Sequence, residues 1–122
     1  MTSRGFLSAT AAELLARLPG PKSPGWPDGE TFTRAFEHGS MSVEIYAPVG
    51  TDPQQPHDQD ELYLVHTGSA VFELEGERHE VTPGTVFFVA AGARHRFVTF
   101  TADFAAWVVF FGPKGGEAHG GG

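Results

Sequence analysis

Residues 50–68 run Gly50-Thr-Asp-Pro-Gln-Gln-Pro-His57-Asp-Gln-Asp-Glu61-Leu-Tyr-Leu-Val-His-Thr-Gly68, a polar, proline-marked loop that feeds an apolar strand. Pro56 disfavours helical geometry at Gln55, so Gln55 and His57, two residues apart, are expected to project to one side. At about 3.3 Å per residue a straight strand would carry Glu61 roughly 13 Å beyond His57, so the chain must turn between them. Asp58, Gln59 and Asp60 suit such a turn, which returns Glu61 to the side of His57 at the start of a strand over Leu62 to Val65. Glu61 shares its parity with Tyr63 and Val65, which makes it an inward-facing carboxylate in need of a partner. His57, His95 or a metal ion would supply one.

The segments on either side repeat the pattern of short strands and turns. Pro83-Gly84-Thr-Val-Phe-Phe-Val-Ala-Ala-Gly92-Ala-Arg-His95-Arg-Phe is an apolar strand that ends in a glycine turn, with His95 opening the next strand. From Thr31 to Phe111, runs rich in Val, Phe, Tyr and Thr are punctuated by glycines that serve turns, among them Gly68, Gly84 and Gly92, which predicts an all-β sandwich or barrel. Upstream, Leu14, Leu15 and Leu18 recur at helical spacing and Thr10 with Glu13 has the capping-box spacing, so a short helix is expected between Ser8 and Leu18. Prolines and glycines over residues 19–27 stop it. The expected organisation is a helix and Pro/Gly-rich arm over residues 1–30, a barrel over 31–112 and a flexible Gly-rich tail over 113–122. Leu62 and Leu64 alternate with Tyr63 and Val65, and Phe87 and Val89 with Val86 and Phe88, so these strands are apolar on both faces, which calls for a cover: the N-terminal helix or a second subunit, in a homodimer.

Composition narrows the function. With no cysteine, a disulfide framework, a thiolate metal site and a Cys nucleophile are excluded. Asp and Glu outnumber Lys and Arg by 15 to 8, for a net charge of −7, so nucleic acid and acidic membrane surfaces are not expected partners. The N-terminal stretch lacks a continuous apolar core and no run is long enough to span a bilayer, and the protein is read as cytoplasmic. Neither a Gly-rich phosphate loop nor a Ser nucleophile elbow is present.

At residues 50–68 and 84–99 the chain resembles the cupins, a two-motif barrel family. Their first motif is written G(X)5HXH(X)3,4E(X)6G. Here Glu61 is followed by six residues and Gly68, His57 takes the second His position, and Gln55 stands where the first His is expected. The second motif, G(X)5PXG(X)2H(X)3N, fits from Gly84 through Gly92 to His95, with Ala90 in place of Pro and Thr99 in place of Asn. The resemblance implies a cupin (double-stranded β-helix, jelly-roll) barrel that holds one divalent metal ion with His57, Glu61 and His95, assisted by Gln55.

Two His and one carboxylate with open positions form a facial triad suited to Fe(II), with Mn, Ni, Co and Zn as alternatives. Taken singly, each ligand has an ordinary structural explanation, His57 as a loop histidine and His95 as a core or rim histidine; the joint spacing favours the metal. His38, His66, His79 and His119 lack such spacing and are expected at the surface. Tyr46, Tyr63, Phe72, Phe97 and Trp107 are candidates to line a pocket above the metal, with Tyr63 or Trp107 orienting a small-molecule substrate. The expected activity is that of a mononuclear non-haem dioxygenase-like enzyme. A metal-dependent isomerase or lyase, or a binding module without turnover, stays open beside it.

Overall fold

The computed structural model describes residues 5–118, and His119 lies outside them. The described residues are all-β apart from one short helix. Its strands are β1 (Phe32–His38), β2 (Met41–Tyr46), β3 (Asp60–Thr67), β4 (Ala70–Leu74), β5 (Glu77–Val81), β6 (Val86–Val89), β7 (His95–Phe100) and β8 (Ala105–Phe111). They pair antiparallel in two sheets, one ordered β1-β2-β8-β3-β6 and the other β5-β4-β7. The alternation along β3 sets the arrangement. Glu61, Tyr63 and Val65 are buried between the sheets, while Leu62, Leu64 and His66 face out.

Between the sheets the core is aromatic. Phe72 of β4 and Phe97 of β7 meet Tyr63 and Phe87 of the larger sheet, with Phe72 and Phe97 centroids 5.0 Å apart and Tyr63 stacked on Phe87 at 4.9 Å. Such rings bury large apolar areas and dominate the stability of a core this small.

The helix, α1 (Ala11–Leu15), is shorter than the Leu14/Leu18 spacing predicts. Thr10 caps it by accepting a hydrogen bond from the Glu13 N–H, and the chain leaves it through tight turns at Arg17 and Leu18. Ala11 and Leu14 pack on Ile45 and Trp107, the outer face of β2 and β8. The helix thus covers only one end of the larger sheet. Leu62, Leu64, Val86 and Phe88, on the β3/β6 side, stay exposed at 37 to 58 %.

The tail is tied down over its first residues rather than loose: the Gly115 N–H donates to the Asp58 carbonyl and the Glu117 N–H to the Asp60 carboxylate. Asp60 itself belongs to β3 rather than to the turn expected over residues 58–60; the bend is confined to Asp58 and Gln59.

Two turns separate sterics from backbone preference. Glu75 and Gly76 both have positive φ, the conformation that a two-residue β4–β5 hairpin demands. Gly68, also at positive φ, has no room for a side chain: a Cβ there would lie 2.7 Å from Phe104 Cα and collide with Thr101. Gly76 meets nothing within 4 Å. Gly68→Ala is therefore expected to cost about 2–4 kcal/mol and Gly76→Ala about 1 kcal/mol in urea denaturation, because only the first adds a clash to the backbone penalty.

Candidate metal centre

His57 ends the loop from Asp52, Glu61 is the second residue of β3 and His95 the first of β7, so the three come from two sheets and a loop. The bend at Asp58–Gln59 returns Glu61 to His57. His57 Nε2 lies 3.7 Å from Glu61 Oε1, and His95 Nε2 lies 3.2 Å from Glu61 Oε2. The donor atoms of the three residues all fall within 4.8 Å of one another. Backbone clamps fix this meeting: the Gly92 N–H donates to the His57 carbonyl (2.8 Å) and the Ala91 N–H to Asp60 Oδ1 (2.9 Å). The glycine turn of residues 90–93 thereby locks the loop that carries His57 to the strand that begins with His95.

The hydrogen bonding of His95 indicates what the cluster lacks. Its Nδ1 sits 2.9 Å from the Ala93 carbonyl, which can only accept, so Nδ1 carries a proton, and the neutral form of the ring turns a lone pair on Nε2 toward Glu61. Nε2 is buried and, though 3.2 Å from the carboxylate, is not aligned to hydrogen-bond with it. Lone pair against carboxylate is repulsive unless a proton or a cation lies between. Burial, eased partly by the hydroxyl of Tyr63, pushes the Glu61 carboxyl up to about 8. Burial, together with the neighbouring His95, pushes the His57 imidazole below its usual value. Both shifts keep the pair neutral while no cation is bound. Taking one donor atom per residue, the three lie within 4.8 Å of one another, close to the roughly 3–4 Å between donors that each lie about 2.1 Å from one ion. The Nδ1–carbonyl bond supplies the outer support that metal-bound imidazoles normally have. Two imidazoles and one carboxylate fit a divalent ion.

Of the two glutamines, Gln54 rather than Gln55 turns to the cluster. Gln55 is exposed, whereas Gln54 Oε1 accepts from the Tyr63 hydroxyl (3.1 Å) and lies 3.5 Å from His57 Nε2. The cause is Asp52, buried in the loop, which takes the Gln54 N–H and, at 2.7 Å, its side-chain Nε2, leaving the amide oxygen aimed inward. Asp52 also accepts from the Phe97 N–H and from the Tyr46 hydroxyl. Tyr63 is fully buried and its hydroxyl lies 3.2 Å from Glu61 Oε1, so it supports the ligand carboxylate from behind. Trp107 lies elsewhere: it projects from the outer face of β8 against α1 and takes no part in the site. Phe72 and Phe97 are core, and His38, His66 and His79 are exposed.

A cavity of about 560 Å³ opens beside His57, lined also by Trp26, Phe32, Glu44, Tyr46, Gln54 and Phe110. His57 is the ligand that solvent reaches, its side chain 35 % exposed against 1 % for Glu61 and for His95. The cavity therefore reaches the cluster through His57, while a second groove, lined by Gln55, Arg94 and Arg96, borders His95. Glu44 was not evident from the sequence because β2 alternates polar and apolar residues without marking which set points inward. Burial pushes its carboxyl up to about 7, against the pull of Arg34.

Fold and site together define a small β-barrel with a His/Glu/His cluster between its sheets. The chain belongs to the cupin family: the family model described as Cupin domain matches residues 42–111. A curated relative, uncharacterized protein SCO3923 of Streptomyces coelicolor, is 42 % identical over 77 residues, 62 % of this chain and 73 % of that one. Among solved structures, KdgF from Halomonas sp. superposes with a TM-score of 0.58 at 20 % identity, covering 65 % of this chain and 74 % of that one. A candidate mannose-6-phosphate isomerase from Ralstonia eutropha JMP134 does so with a TM-score of 0.55 at 28 % identity, covering 76 % and 91 %. Cupins commonly hold one metal ion, in keeping with the cluster.

The raised carboxyls make a pH prediction. In the metal-free protein Glu44 and Glu61 hold protons, to about pH 7 and 8, that the unfolded chain has released by about 4.5, so stability falls as pH rises through this range. His57 opposes the trend only below its ordinary value of 6.5. Between pH 6.5 and 8.5 the melting temperature of metal-free protein is expected to fall by roughly 5–10 °C. Glu44→Gln or Glu61→Gln should flatten the slope in calorimetry, and a flat or rising wild-type curve would contradict this charge assignment.

Proposed function

We propose that the chain is a mononuclear metal-dependent enzyme acting on a small organic molecule, with His57, Glu61 and His95 as the ion's ligands and Fe(II) as the favoured metal. The observation that carries this reading is the buried, unpaired Nε2 of His95 facing the Glu61 carboxylate. A bound divalent ion would supply Lewis acidity and, as Fe(II), the redox chemistry of a dioxygenase-type reaction. The protein's own groups do the rest. Asp52 holds the Gln54 amide oxygen toward the cluster, where it is placed to assist as a weaker, neutral donor in the role first expected of Gln55. Tyr63 steadies Glu61, and Trp26, Phe32, Tyr46 and Phe110 give the substrate apolar walls that exclude water from its reacting end.

A second reading, metal-assisted isomerase or lyase chemistry, draws support from Glu44, whose raised carboxyl lines the same cavity and suits it to exchange a proton with a substrate near neutral pH. The likeness to a candidate isomerase points the same way. On either reading, residues 31–112 act as the barrel and the arm over residues 1–30 supplies Trp26 to the cavity wall. The protein is further read as cytoplasmic, which the absence of cysteine supports, and as a homodimer paired through Leu62, Leu64, Val86 and Phe88. No helix among the described residues is long and apolar enough to cross a membrane.

Elemental analysis of untagged protein should find close to one divalent ion per chain, lost by at least tenfold in folded His57→Ala, Glu61→Ala and His95→Ala variants. Dioxygen consumption by Fe(II)-loaded protein across a panel of diketones, phenols and thiols would support the oxygenase; turnover that survives strict anaerobiosis with Zn or Mn would move the assignment to the isomerase or lyase. Absence of metal after reconstitution contradicts both. For the dimer, Phe88→Glu should shift the sedimentation of a two-chain species to that of one chain without a change in metal content.

A further inference from the structure

The wall of the cavity opposite the cluster has a chemical character of its own. Trp26 of the arm meets Phe32 of β1 with centroids 5.3 Å apart at 70°, and Tyr46 of β2 with centroids 5.9 Å apart at 85°. Three rings set edge to face present a concave aromatic corner. All three line the cavity, and so does Glu44, two residues along β2 from Tyr46 and projecting to the same side. No Lys or Arg is among the cavity's described lining residues. Arg34, the register partner of Glu44 on β1, is exposed, with its guanidinium 2.7 Å from Glu37, and does not line the cavity.

Aromatic faces attract cations through their quadrupole, and a carboxylate completes the attraction; the same wall offers nothing to neutralise a phosphate or a carboxylate. The polar groove on the other side of the 54–56 loop, lined by Glu73, Glu75, Arg94 and Arg96, contrasts with it, and there Glu73 pairs with Arg96 and Arg78. The aromatic cavity holds one carboxyl and no Lys or Arg among its described lining residues and reaches the exposed ligand His57, whereas the groove reaches the ligand His95 with Arg94 and Arg96 beside it.

From this arrangement we infer that the cavity binds an organic ammonium group, seated in the corner of Trp26, Phe32 and Tyr46 against Glu44, so that the substrate is a small cationic amine or quaternary ammonium compound. The inference rests on the reading of this cavity as the substrate site. It makes Glu44 the specificity-determining residue. A cation beside Glu44 also favours its ionised form, so binding should strengthen as pH rises through 7; the charged groups that act on Glu44 are Arg34 of β1, Glu30 of the arm and Glu61 of β3, and Tyr46 and His57 line the same cavity.

The test uses choline, its neutral isostere 3,3-dimethylbutan-1-ol and the anion 3,3-dimethylbutanoate, titrated calorimetrically into metal-free and Zn-loaded full-length protein, with the Trp26 indole N–H resonance as the marker of location. Choline is expected to bind roughly tenfold more tightly than the alcohol and to shift the Trp26 signal, with the anion weakest. Glu44→Gln should remove most of that preference while leaving metal content unchanged, and Trp26→Ala should weaken choline more than the alcohol. Equal binding of choline and alcohol by the metal-free wild-type protein, tighter binding of the anion to it, or no binding of choline at millimolar concentration overturns the inference. Because preference is measured without metal and metal content is measured separately, failure of the cation site and failure of the metal centre give different results.

Discussion

A carboxylate held in a dry interior against two imidazole nitrogens is the constraint around which this barrel is built. Glu61 is 1 % exposed, its oxygens 3.7 and 3.2 Å from His57 and His95, and burying it costs free energy that only a proton or a cation can recover. The surrounding structure holds the three groups together regardless. Hydrogen bonds from the 90–93 turn to His57 and Asp60, and from the tail to Asp58 and Asp60, close the loop onto the two strands that carry the other ligands. Clamps of this kind hold three potential ligands together where a proton or a bound cation can offset the cost of burying the carboxylate.

The site is also asymmetric, and this shapes its chemistry. Glu61 is buried beside the aromatic core and braced by Tyr63, His57 meets the aromatic cavity, and His95, its side chain 1 % exposed, borders the polar groove on the other side of the 54–56 loop. On the side of the exposed ligand His57, Glu44, Gln54 and the rings of Trp26, Phe32 and Tyr46 determine what can approach. Fold and ligand set are common to many reactions, and this wall is where specificity resides.

Much of this was legible in the sequence. The parity of Glu61 with Tyr63 and Val65 gave the inward carboxylate, and the glycine turn before His95 gave its strand start; both rest on local rules that tertiary packing did not override. What the sequence hid depended on contacts far along the chain. Gln54 replaces Gln55 at the cluster because Asp52 captures it and is itself anchored to Phe97, 45 residues away. Trp107 faces α1 because β8 is apolar on both sides, and alternation alone does not say which side is inner. Trp26 reaches the cavity from an arm with no periodic signal, and the Gly-rich tail is ordered near Asp58 and Asp60 by partners that its composition does not reveal.

X-ray absorption spectroscopy of Fe(II)- or Co(II)-loaded protein tests the central claim most directly, since it counts the ligand types around the ion whatever the reaction. The account predicts two imidazoles and additional oxygen donors in the first coordination sphere, with one imidazole lost in His57→Ala and in His95→Ala. A sphere of oxygen donors without imidazole, unchanged in either variant, would contradict it.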